Sequence, residues 1–104
     1  MPTESLLRHV VLFGFTAETT PAQRRTLEDA FAGLPGQIPE IVDFEWGTDV
    51  SVENAARGYT HCFLVTFRNA AGRDVYLPHP AHQRFVELVG PHLAQVLVFD
   101  YWSR

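Results

Sequence analysis

Residues 6–15 read LLRHVVLFGF, and as an extended strand they are apolar on both sides. Strand side chains alternate, so His9, Val11, Phe13 and Phe15 share one face while Val10 and Leu12 lie on the other. Both faces need cover. Helices can provide it on one side, and the other side needs a further layer. Three more segments read as strands: 41–50, 59–68 and 94–102. In the second strand Phe44 and Trp46 oppose Asp43 and Glu45. In the third, Tyr59, His61, Phe63, Val65 and Phe67 oppose Cys62, Leu64 and Thr66. The last, AQVLVFDYW, is apolar except near its end, where Asp100 interrupts it.

Between the strands the spacing changes to a helical one. In 19–35, Thr20 is placed to cap, Pro21 suits the first helical position and Gln23 completes a capping box. Leu27, Ala30, Phe31 and Leu34 form its apolar stripe. Residues 51–58 form a polar connector with at most one helical turn, and 69–77 a short helix that Pro78 interrupts. A second long helix spans 80–93, started by Pro80 and weakened at Gly90-Pro91. The order β-α-β-β-α-β predicts a single α+β domain over 1–104. The expected protomer is ferredoxin-like, with both helices on one face of an antiparallel sheet. The opposite, apolar face predicts a symmetric homodimer packed sheet against sheet.

Composition removes several function classes. A net charge of −4 attracts neither nucleic acid nor anionic membranes. All eight basic residues are Arg, so no side-chain amine exists for Schiff-base chemistry. The one cysteine, Cys62, permits neither an intrachain disulfide nor a cysteine-based zinc site. No stretch resembles a signal peptide or reaches the ~20 apolar residues of a membrane span. A cytoplasmic protein is expected, with no phosphate loop, serine elbow or dinucleotide fingerprint.

The chemistry-bearing candidates are histidines. His82 lies about two residues into the 80–93 helix, on one stripe with Phe85, Val86 and Val89. A helix N-terminus and burial both disfavour a charged imidazole, leaving the neutral form that a general base needs. Equally, a histidine at a core edge can simply bond a backbone carbonyl. His9 and His61 sit on strand faces otherwise built from Val and Phe, where a polar group must find a partner. Either they reach a shared pocket or each satisfies a nearby carbonyl. Tyr76, six residues before His82, either orients that imidazole or packs its ring. His79 and His82 at i, i+3 lack a local carboxylate to complete a ligand set, so no metal and no cofactor are expected. His92 reads as surface, and Asp100 carries no assigned chemistry.

The blocks HVVLFGF, FEWGTDVS, GYTHCFLVTF and YLPHPAHQRFVE…LVFDY, in this order, resemble the stress-responsive A/B barrel (Dabb) family from about Arg8 to Tyr101. The resemblance implies a dimeric α+β barrel of ferredoxin-like protomers. It further implies kinship with a cofactor-free plant polyketide cyclase, whose base falls on His82, whose tyrosine falls on Tyr76, and whose other pocket histidines fall on His9 and His61. In that cyclase an aromatic stands at Glu28, a valine at Phe63 and a glycine at Val86, so a smaller cavity is expected here. Val11, Phe13, Phe31, Phe63, Phe85 and Val86 are its expected lining. The implied function is binding of a small apolar carbonyl compound, with cyclase, lyase or isomerase chemistry by a histidine base. The alternatives are a non-catalytic stress-response or ligand-binding protein and, by analogy of fold alone, a heme-free monooxygenase.

Overall fold

The computed structural model describes residues 5–104. The elements follow the expected order: β1 (Leu7–Phe15), α1 (Pro21–Ala32), β2 (Ile41–Thr48), β3 (His61–Phe67), α2 (Ala70–Tyr76), α3 (Pro80–Val89) and β4 (Leu93–Trp102). The strands form one sheet in the order β2-β3-β1-β4, with every neighbouring pair antiparallel. All three helices lie on one face, and the fold is ferredoxin-like α+β.

Local chemistry sets the element ends. The Thr20 hydroxyl accepts from the Gln23 backbone N–H, and the Gln23 side chain accepts from the Thr20 N–H, closing the capping box of α1. Two helices end earlier than the apolar pattern predicts. After Ala32 the chain tightens into a 3-10 turn at Leu34–Gly36, and after Val89 into another at Gly90–His92, each with a proline in its first positions. The 51–58 connector holds no helix. Asn54, Arg57 and Gly58 take φ values of 55°, 58° and 86°, which a right-handed helix does not permit.

The strand alternation determines what is buried. On β1 the face of Leu7, His9, Val11 and Phe13 is buried, and it meets Leu27 and Phe31 of α1, Tyr76 of α2, and Ala81, Phe85 and Val89 of α3. Phe63, Val65 and Phe67 of β3 complete this core. The opposite face, with Val10, Leu12 and Leu64, carries no helix, and β4 adds Leu97, Phe99 and Tyr101 there, all exposed. Among the described residues no helix is long and apolar enough to cross a membrane.

Candidate functional site

The junction of α2 and α3 builds one end of a cavity. A helix leaves its last carbonyls without partners. Here the carbonyl of Leu77, at the C-terminus of α2, accepts from His82 Nδ1 at 2.8 Å and from Gln83 Nε2 at 3.0 Å. His79 caps α3: its Nδ1 accepts from the Ala81 N–H at 3.0 Å. The two histidines of the His-Pro-Ala-His run thus do different work. One starts the helix, and the other closes the preceding one while its ring lies against Tyr76, with centroids 4.4 Å apart.

The hydrogen bond to Leu77 fixes the His82 tautomer. A carbonyl only accepts, so Nδ1 carries the proton and the neutral ring keeps its lone pair on Nε2. Burial pushes the His82 pKa below the ordinary 6.5, and the nearby His9 and His79 push the same way, against the upward pull of the Leu77 carbonyl. Tyr76 is 1% exposed. Burial raises its phenol pKa well above the usual range, so the hydroxyl stays protonated and able to donate.

β1 and β4 supply the opposite wall. His9 pairs across the ladder with Asp100, and its Nδ1 donates to Asp100 Oδ1 at 2.7 Å. The other carboxylate oxygen accepts from Arg73 Nη1 at 3.2 Å. His9 is 5% exposed, and its ring meets Tyr76 edge-on at 5.8 Å. Tyr76 Oη, His9 Nε2 and His82 Nε2 make no hydrogen bond with the described residues. No fully buried polar side-chain atom lacks a partner among them, so all three atoms keep access to open space. That space is a cavity of about 490 Å³ between the sheet and α3, with His9, Tyr76 and His82 among its lining residues.

Of the expected lining, Val11, Phe13, Phe31, Phe85 and Val86 face this cavity. Phe63 does not. It is 1% exposed and stacks on Phe31 at 4.3 Å, forming the wall behind the cavity. His61 also lies elsewhere. Its Nε2 bonds Glu28 Oε2 of α1 at 2.7 Å, its Nδ1 bonds Thr60 Oγ1 at 2.8 Å, and Trp46 lies parallel to its ring. The structure therefore gathers three of the four polar candidates and sets the fourth beyond the Phe31–Phe63 stack. Arg73 lines the cavity without having been singled out in the sequence, and so does Asp100, which was noted there with no chemistry assigned. Asp100 gave one signal, a lone acid in an apolar strand, but its partner is 91 positions away. Among the described residues no group of three or more His, Cys, Asp or Glu side chains is placed to hold a metal.

The family model of the stress responsive A/B barrel domain matches residues 7–103. The chain is 38% identical over 95 residues to the stress-response A/B barrel domain-containing protein HS1 of Arabidopsis thaliana, covering 91% of this chain and 87% of that protein. It is 34% identical over 98 residues to olivetolic acid cyclase of Cannabis sativa, covering 94% and 97%. Among solved structures it is similar to the hydroxynitrile lyase of Passiflora edulis, with 26% identity, coverage of 99% and 96%, and a TM-score of 0.91. It is also similar to a dimeric ferredoxin-like protein of unknown function from Thermobifida fusca, with 27% identity, coverage of 93% and 90%, and a TM-score of 0.79. With a family model spanning nearly its whole length, the chain belongs to the stress responsive A/B barrel domain family.

Proposed function

We propose that this protein is a homodimer whose protomer cavity takes a small, mostly apolar carbonyl compound and forms or breaks a carbon–carbon bond in it, with His82 as general base. The observation that carries this reading is the free Nε2 of His82, whose ring is fixed by the Leu77 carbonyl and lies against the Tyr76 ring at a cavity wall. His82 Nε2 takes a proton from the carbon next to a carbonyl. The electron pair moves into an enolate, whose oxygen accepts a hydrogen bond from the Tyr76 O–H. The carbanion then attacks a second carbonyl carbon of the same molecule, and the alkoxide formed takes the proton back from the His82 imidazolium. Every proton in this sequence returns to product, and the step as written uses side chains alone. Two relatives, named as a cyclase of olivetolic acid and as a hydroxynitrile lyase, support carbon–carbon chemistry for this site.

Deuterium uptake next to the carbonyl of ethyl acetoacetate, followed by NMR in D₂O, tests the base directly. The wild type is expected to speed uptake above the buffer background, and His82→Ala to lose roughly 10²-fold or more of that gain. The neutral ring is the active form, and its pKa lies below 6.5, so activity persists through 6.5 and falls only as His82 protonates at lower pH. Uptake equal to background in the wild type favours the second reading, a non-catalytic ligand-binding stress-response protein, which the likeness to HS1 supports.

A further inference from the structure

The reaction proposed above builds charge on two oxygens, and its named residues supply a donor for one of them. The Tyr76 hydroxyl has a single O–H, which the enolate oxygen takes. His82 serves the carbon that it deprotonates. His9 adds no donor. Its Nδ1–H is committed to Asp100, so the neutral ring offers the cavity only a lone pair on Nε2. The carbonyl under attack becomes an alkoxide, and in a mostly apolar cavity an oxygen of that charge is costly without a donor.

Among the residues lining the cavity, one further side chain can donate. Arg73 lies three residues before Tyr76 on α2, so both side chains leave the same face of the helix, and both line the cavity. Asn69 caps this helix, its Oδ1 accepting from the Gly72 N–H at 3.0 Å. Two carboxylates hold the guanidinium: Nε donates to Asp74 Oδ1 and Nη1 to Asp100 Oδ2, each at 3.2 Å. A guanidinium has five N–H donors, so three remain that pair with none of the described residues. Neither carboxylate cancels its charge fully. Asp74 is 64% exposed and screened by water, and Asp100 is shared with His9. The Arg73 side chain is 28% exposed, which puts it where the cavity meets solvent.

We propose that Arg73 is a further catalytic residue of this site, donating a hydrogen bond to the second carbonyl as it becomes an alkoxide. The inference rests on the carbon–carbon chemistry proposed above. It also narrows the substrate to a dicarbonyl compound whose acidic carbon reaches His82 while a second ketone lies at the rim beside Arg73. As the new carbon–carbon bond forms, the π pair of that ketone moves onto its oxygen, which accepts from an Arg73 N–H. Arg73 keeps its proton, because a guanidinium stays charged throughout. The alkoxide then takes its proton from the His82 imidazolium, as above.

Ethyl 3,7-dioxooctanoate tests this role. It is a β-keto ester whose acidic carbon can close a six-membered ring on its distant ketone. In D₂O, NMR reads deuterium uptake at the acidic carbon and chromatography reads the cyclic product. Arg73→Met, with an unchanged far-UV spectrum, is expected to lower kcat for ring closure by roughly 10²-fold. The ratio of ring closure to uptake is expected to fall by roughly tenfold or more, with KM changed far less. Arg73→Lys, which restores charged donors, is expected to recover part of the loss. Arg73→Leu decides if the methionine variant fails to fold. Ring closure at the wild-type rate in Arg73→Met, or equal losses of closure and uptake, overturns the role of Arg73 and leaves His82 as the base. A wild type that takes up deuterium but closes no ring overturns it too. Uptake at background in the wild type removes the carbon–carbon chemistry and the role of Arg73 with it.

Discussion

His82 shows how much chemistry one hydrogen bond decides. Helical spacing alone turns its ring inward beside Phe85, and a position near a helix start already argues for a neutral imidazole. Both alternatives open in the sequence meet in the structure, because the bond to the Leu77 carbonyl is what frees Nε2. The identity of that carbonyl was hidden, since it depends on the angle at which α2 hands the chain to α3 through Pro78. His9 and His61 were visible as polar groups on apolar faces. Their acids, Asp100 and Glu28, come from distant elements, and only the register of β1 on β4 and the docking of α1 bring them close. Asp100→Ala leaves the buried Nδ1 of His9 without an acceptor. Urea denaturation is expected to show a loss of about 1–2 kcal/mol, and an unchanged midpoint would remove Asp100 as the partner that holds His9.

At the scale of elements, period-2 and period-3.6 patterns place all four strands and the helices, because each element buries one face or stripe in a common core. The capping box at Thr20 and Gln23 was legible residue by residue, since all its partners lie within one turn. The helix ends were less so. An apolar stripe continues through Leu34 and toward Leu93, yet glycine and proline convert the last turn into 3-10 geometry. The 49–60 arm was least legible, for its shape comes from left-handed residues and from Gln95 on a strand far along the chain. Gly58→Ala adds a left-handed strain and displaces the Gln95 amide from the Arg57 carbonyl at the base of that arm. It is expected to lower stability by about 1–2 kcal/mol in thermal or urea unfolding, while a neutral result would mean that the arm does not need this backbone.

For the whole molecule, the double-sided strand of residues 6–15 poses a problem that one copy solves only halfway. Three helices cover the face of His9, Val11 and Phe13, and they do so incompletely, leaving the cavity in which His9, Tyr76 and His82 meet. The other face stays apolar and open, as the sequence alone predicts, and it is the surface that the proposed dimer uses. The cavity itself was not readable from residue types, because its size depends on how Phe31 and Phe63 stack behind it. Its use depends on the state of one ring. The direct measurement is ¹⁵N NMR of the His82 imidazole in this chain, titrated with pH and then with acetylacetone. The expected result is a protonated Nδ1, an unprotonated Nε2, a midpoint below 6.5, and an Nε2 signal that moves when acetylacetone is added. A proton on Nε2 in the neutral ring, a midpoint at or above 6.5, or an Nε2 signal indifferent to acetylacetone would contradict His82 as the base.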